Sequence, residues 1–195
     1  MSKLIVIEGP DKVGKETQSK LLLSQLRMTG HRATLVEVPV HDVLTYKVIY
    51  WMLQNGLAMT RPNMFQWFQY ANKRLFQEYT LPDLEKTNDY VILDRWDLSA
   101  IVYGAASGAS SERTEELCAR LRKPDLTLVL HGKSHIDRRD DVYEKNNDLQ
   151  LRVRALYHDW ATKHEDCELI SCEGSRMEVH GRIVKALSSH GLVSA

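Results

Sequence analysis

Between the apolar run LIVI (Leu4–Ile7) and a leucine-rich stretch with helical spacing lies GPDKVGKET, Gly9–Thr17. No other feature of the chain restricts its fold so sharply. A glycine, four spacers, a second glycine and a lysine let consecutive main-chain N–H groups wrap an anion, and the helix that follows adds its positive N-terminal end. The backbone of Gly9, Pro10, Asp11, Lys12, Val13, Gly14, Lys15, Glu16 and Thr17 is the expected phosphate cradle, with the Lys15 ammonium reaching the terminal phosphates. The residue after Lys15 departs from the pattern. A hydroxyl that ligates Mg²⁺ is usual there, and Glu16 stands in its place. Its carboxylate either contacts the metal through water or is simply a first-turn acid favoured by the helix dipole. Neither reading removes the cradle or Lys15.

A loop of this kind needs a buried strand before it. Four further short apolar runs follow: ATLVEV (Ala33–Val38), YVIL (Tyr90–Leu93), LTLVL (Leu126–Leu130) and ELIS (Glu168–Ser171). Near-continuous runs rich in branched residues suit strands covered on both faces, as in a parallel sheet. Helical periodicity fills the gaps: Leu21, Leu22, Leu23 and Leu26, then Val43–Leu53, Met64–Tyr79, Leu149–Trp160 and Met177–Leu187. Strands alternating with helices predict right-handed βαβ units. The expected fold is a three-layer α/β domain of the P-loop type, with a five-stranded parallel sheet, spanning 1–195. Ser107–Arg113 reads as a surface loop, and the charge-dense segment of about 131–148 as a mobile lid.

Composition excludes several functions. Lysine plus arginine equals aspartate plus glutamate at 26 each, so no global basic field exists to hold nucleic acid. No run approaches the ~20 apolar residues of a membrane span. Three cysteines without a CxxC fit a reduced chain better than a disulfide framework, and the eight histidines lack metal-ligand spacing. The expected location is the cytoplasm.

Two further motifs gather around the loop. DRW (Asp94–Trp96) directly follows the YVIL run, and ligands of open α/β sheets sit at the carboxyl ends of strands. Asp94 is placed to hold metal or water, or to orient Arg95, and Arg95 to clamp a phosphate with two parallel bonds. HIDRRDDVYE (His135–Glu144) carries Arg138 and Arg139 among acids, a solvated charge run in isolation and a source of mobile arginines beside a phosphate loop.

In this order, EGPDKVGKETQ, YVILDRWDLSAIVYG, KPDLTLVL and DVYEKNNDLQLRVRALYHDWA resemble the nucleoside monophosphate kinases, and the thymidylate kinase family most closely, over nearly the whole chain. The resemblance implies ATP as phosphoryl donor, Mg²⁺, a pyrimidine deoxynucleoside monophosphate (dTMP) as acceptor, and a homodimer. It places Lys15 and the loop on the donor phosphates, Arg95 between donor and acceptor, and Arg138 and Arg139 in the lid. Asp11 falls near the acceptor sugar and phosphate, Tyr103 near the sugar, and Pro39 in the acceptor site. Asp11, Asp94 and Glu16 are the carboxylates within reach of the metal. Tyr70 and Arg74 match an aromatic–x3–arginine pair that stacks on the base and bonds its carbonyl; a shift of one residue offers Lys73 instead. Lys12 resembles members whose loop carries a basic residue.

The chain also departs from the family. Val40 stands in VPVHD where an acceptor-phosphate arginine is expected, with His41 beside it. Ala100 occupies a position where Ser or Asn often bonds the base. Base preference therefore stays open between dTMP and a different or broader monophosphate range. A domain that binds nucleotide for regulation, with transfer lost, is the alternative of another class.

Overall fold

The computed structural model describes residues 2–41, 44–132 and 147–193. The proposed lid and its arginines, Arg138 and Arg139, lie outside the described residues. In chain order the elements are β1 (Lys3–Glu8), α1 (Lys15–Met28), β2 (Ala33–Glu37), α2 (Leu44–Gln54), α3 (Leu57–Thr60), α4 (Pro62–Tyr79), α5 (Leu81–Thr87), β3 (Tyr90–Asp94), α6 (Asp97–Ala106), α7 (Ser111–Cys118), β4 (Leu126–His131), α8 (Asn147–Lys163), β5 (Cys167–Ser171) and α9 (Arg176–Ser189). All strands are parallel, in the order β2-β3-β1-β4-β5. The expected five-stranded sheet with helices on both faces is what forms.

The apolar runs explain the layering. Leu4, Ile5, Val6 and Ile7 of β1 are all fully buried. Alternation sends Ile5 and Ile7 to one face, where they join Leu22 and Leu26 of α1 and Ile183 and Leu187 of α9. Leu4 and Val6 go to the other face, with Phe76 of α4, Leu81 of α5 and Trp96. Beside them, Val129 of β4 meets Leu98 and Val102 of α6 and Val153 and Tyr157 of α8. A buried branched side chain of this kind contributes about 1.5–3 kcal/mol.

The strand order fixes the site. The chain leaves β1 for β2 on one side, and later crosses from β3 past β1 to β4 on the other. The loops after β1 and β3 therefore open at the reversal of winding, where α/β sheets bind ligands.

One expectation is corrected. The surface loop predicted over Ser107–Arg113 ends at Ser110, because Ser110 caps α7: its Oγ accepts the Arg113 N–H at 3.4 Å. Helices α3 and α5 and the start of α7 carry too few periodic apolar residues to announce themselves. No helix among the described residues is long and apolar enough to cross a membrane. Cys118, Cys167 and Cys172 are not joined in a disulfide.

Candidate active site

The phosphate loop is built from backbone constraints that only glycine meets. Gly9 has φ +141°, and a Cβ there would stand 2.5 Å from the Leu130 carbonyl oxygen of β4. The loop can thus lie directly on the sheet edge. Gly14, at φ 102°, is the left-handed N-cap from which α1 departs. Lys15 then folds back, its Nζ donating to the Pro10 carbonyl at 2.8 Å. Burial, then the nearby Arg95 guanidinium, pulls its pKa down to about 7, against the opposing pull of Asp11, Asp94 and Glu8.

Arg95 approaches from β3. Its backbone is left-handed, φ 72°, and its N–H is tied to the Ile7 carbonyl at 3.0 Å. A non-glycine residue held there costs on the order of 1–3 kcal/mol, a strain typical of functional positions. The side chain pairs with Asp11 through Nη2, donates to Ser99 Oγ at 3.3 Å and to the Gly9 carbonyl at 3.4 Å, and lies 5.3 Å from the Tyr103 ring centroid. Burial disfavours its charge, but Tyr103, Asp11, Tyr157 and Glu8 outweigh it and hold the guanidinium protonated. Asp11 is pushed up by burial and pulled further down by Arg95 and Lys15, which leaves it below the usual carboxylate range. Its other oxygen accepts from Gln150 Nε2 of α8 at 3.2 Å.

These groups face one cleft of about 1160 Å³. A single small-ligand site commonly measures ~300–1,000 Å³, so this one has room for two ligands end to end. Asp11 to Gln18, Asp94 and Arg95 line its middle. Cys172, Gly174, Ser175, Arg176 and Val179 line one end, and Val38, Pro39, Leu53, Phe65, Lys73 and Tyr103 the other. The first end is organised by the start of α9, where Ser175 and Glu178 form a capping box. Gln18 Nε2 of α1 donates to the Arg176 carbonyl at 3.0 Å, joining that end to the loop. Sequence reasoning missed this wall; the S-R-M-E pattern before a helical stretch was its signal.

Helix α4 supplies the far wall, with its register one residue from that expected. Lys73, 2% exposed, lines the cleft with Gln69 and Gln66, and its Nζ donates to Gln69 Oε1 at 3.4 Å. Tyr70 instead packs into the cluster of Leu4, Val6 and Val38. Arg74 points to the surface, paired with Glu78 at 2.5 Å and donating to the Arg120 carbonyl at 3.4 Å. The cleft is lined by Gln66, Gln69 and Lys73 and not by Tyr70 or Arg74. The expected aromatic–x3–arginine pair, Tyr70 and Arg74, therefore lies off the cleft, and the alternative shifted by one residue, Lys73, lies on it. Val40 packs on the core, its N–H and carbonyl both bonded by Asn72. His41 is exposed with its ring against Tyr46, so neither residue lines the cleft.

The three carboxylates assigned to a metal separate. Glu16, at the rim, pairs with Lys20 four residues on and is largely exposed. It is the first-turn acid of α1. Asp11 is committed to Arg95 and Gln150. Asp94 remains beside Lys15 and Arg95; burial raises its pKa while those two cations lower it. Among the described residues no cluster of three or more His, Cys, Asp or Glu could hold a metal unaided. That donor set fits Mg²⁺ in its usual role with phosphates, where one or two carboxylates supplement phosphate and water oxygens.

A family model described as thymidylate kinase matches residues 7–183 of the chain. The chain is 28% identical to the thymidylate kinase of Idiomarina loihiensis, over 96% of this chain and 98% of the other. It is 27% identical to that of Schizosaccharomyces pombe, over 96% and 92%. A solved thymidylate kinase structure from Candida albicans aligns with a TM-score of 0.81 at 22% identity, over 98% of this chain and 93% of that one, a likeness of fold.

Proposed function

The chain belongs to the thymidylate kinase family, and from that premise we propose that it transfers the γ-phosphoryl group of ATP to dTMP, giving dTDP and ADP. The observation that carries this reading is the position of Arg95, midway along a two-ligand cleft between the phosphate loop and a wall that offers Lys73.

ATP lies with its phosphates on the Gly9–Thr17 backbone and Lys15, and its base toward Arg176 and Val179. The dTMP phosphate meets Arg95 from the other side. That phosphate is largely dianionic at pH 7, since its second pKa is ~6, so no general base is needed. An acceptor phosphate oxygen forms a bond to the γ-phosphorus while the bond to the β,γ-bridging oxygen breaks, and ADP keeps that electron pair. Catalysis is positioning together with neutralisation of charge spread over the transferring group. Lys15 and Arg95 supply fixed positive charge, with Arg138 and Arg139 added from the 133–146 segment. Asp94 is the carboxylate for Mg²⁺, which neutralises the donor phosphate oxygens when bound.

At the acceptor end Lys73 donates to a base carbonyl, in place of an arginine. Pro39, Leu53 and Phe65 give apolar walls, and Tyr103 closes on the sugar. Trp51 of α2 and Trp67 of α4 are 56% and 53% exposed, with Met64 at 45%. An apolar face of this size favours a homodimer across α2 and α4, checked by sedimentation of the wild type and of Trp51→Glu. The enzyme works in the cytoplasm, where ATP is supplied.

The test is ADP release from ATP-Mg²⁺ with dTMP, dUMP, dCMP and dGMP in turn. Release with dTMP well above the blank is expected. No release above the blank with any of the four overturns the reading.

A further inference from the structure

The turn between β5 and α9 brings Cys172, Gly174, Ser175 and Arg176 to one end of the cleft. It follows the edge strand of the sheet, so a neighbouring strand supports it on one side only. Side chains set its shape. Its later half is tied by the Ser175–Glu178 box and by Gln18 on the Arg176 carbonyl. Gly174, at φ +96°, lies so near that box that a Cβ there would stand 2.7 Å from Glu178 Oε2. In the earlier half the Cys172 N–H donates to the His131 carbonyl of β4 at 2.8 Å. The remaining anchor is Arg182. From the second turn of α9 its Nη1 donates to the Ser171 carbonyl at 2.8 Å and to the Glu173 carbonyl at 2.6 Å.

This arginine is exposed, yet it is not used as a surface charge. Arg74 and Arg120 each pair with an acid four residues away, Glu78 and Glu116, and such pairs contribute little. Both acceptors of Arg182 are main-chain carbonyls, and a charged donor makes a stronger bond to such an oxygen than a neutral one does. One nitrogen thus fastens residues 171 and 173 to the helix that the turn leads into. Arg182 does not itself line the cleft. Whatever it does for a ligand passes through the turn.

Building on the kinase reading above, in which the donor base lies toward Arg176 and Val179, we propose that Arg182 is a positioning residue for the donor nucleotide. It holds the 171–176 turn in the shape that receives the base. The triphosphate is gripped elsewhere, by the backbone of the loop after β1 and by Lys15. Arg182 therefore governs affinity for the nucleoside half of ATP and leaves the grip on its phosphates, and the transfer step, unchanged.

The experiment is calorimetry of ATP-Mg²⁺ and of inorganic tripolyphosphate with Mg²⁺, which has the tail without the nucleoside. It is run on the wild type, on Arg182→Met, which keeps the stem and loses the donors, and on Arg182→Lys, which keeps a charged donor. Thermal melting shows that each protein is folded at the measuring temperature. The Kd for ATP is expected to rise about tenfold in Arg182→Met, the scale of a hydrogen bond from a charged group, and about threefold or less in Arg182→Lys. The Kd for tripolyphosphate should stay at its wild-type value in both. In steady-state assays the KM for ATP should rise in step, with kcat and the KM for dTMP unchanged. An unaltered Kd for ATP in Arg182→Met overturns the role, and so does an equal weakening of tripolyphosphate. Because binding is read without turnover, a wild type that binds ATP but phosphorylates no monophosphate overturns the kinase reading alone.

Discussion

Ser99 gives its backbone N–H, at 3.0 Å, to one oxygen of Glu8 and its hydroxyl to the other. The same carboxylate accepts the Trp96 N–H at 2.7 Å and the Tyr157 hydroxyl at 2.9 Å. Glu8 is fully buried at the end of β1. It therefore ties the strand that leads into the phosphate loop to the turn that carries Arg95. Glu8→Gln keeps the volume but turns one acceptor into a donor facing donors. A loss of about 1–3 kcal/mol is expected, a fall in Tm of several degrees for a chain of this size. Turnover should drop with it, because Arg95 loses its frame. Thermal unfolding and steady-state kinetics on the variant check this; unchanged values in both would remove the positioning role.

Arg95 combines a required side chain with a strained backbone, and the two can be separated. Arg95→Ala and Arg95→Gly both remove the guanidinium, so both should lower kcat by about 10²–10³-fold or more. They differ in stability. Glycine adopts φ 72° freely and alanine does not, so the glycine variant should be the more stable by about 1 kcal/mol. That order is the reverse of the usual one and is read from paired denaturant titrations.

The sequence made the sheet and the loop legible because both rest on local signals. The five apolar runs had to be strands, and Gly9 and Gly14 had to sit where no side chain fits. Asp94 and Arg95 followed from their place at a strand end. The wall on α4 was harder. Tyr70 and Arg74 looked like the base-binding pair, yet an i, i+4 spacing says only that two residues share a face, not which face turns inward. That choice belongs to tertiary packing: Phe76 and Tyr70 join one apolar cluster, Phe65 joins Ile49 and Met52 in another, and Gln66, Gln69 and Lys73 are left to line the cleft. Glu8 was hidden for a related reason. A charge at the end of an apolar run reads as an edge of the strand, and only the return of α6 and α8 supplies its donors.

Asp97 opens α6 almost wholly buried, and burial raises its pKa to about 6, against a weaker pull from Lys123 at 3.6 Å. A carboxyl whose folded pKa lies above its unfolded value contributes stability below about pH 4 and loses it as pH rises through 6. Asp97→Asn removes that penalty. The amide oxygen can still accept the Leu98 N–H, as the carboxylate does at 3.0 Å. The variant should match the wild type near pH 4 and exceed it by about 1–3 kcal/mol above pH 7, as measured by urea unfolding across that range.

Lys15 makes phosphate binding pH-dependent near neutrality, far below the range in which an ordinary lysine loses its charge. Its pKa of about 7 in the ligand-free protein arises chiefly from burial, with Arg95 adding to it. Unfolded, the group titrates near 10.5. Its folded value is depressed, so it contributes stability above 10.5 that is lost as pH falls through 7. The ligand-free protein should therefore gain stability from this group between pH 7 and 10. A bound triphosphate reverses the balance by bringing negative charge to the ammonium and raising its pKa. At pH 8 the free amine is roughly nine-tenths neutral, so binding must draw a proton from solution. Calorimetry of ATP-Mg²⁺ binding at pH 8 in buffers of different ionisation enthalpy should report close to one proton taken up. The apparent Kd should rise about tenfold per pH unit above 7.5. In Lys15→Arg the side chain stays charged at all these values, and both effects should vanish. Proton uptake that persists in Lys15→Arg would assign the titration to another group.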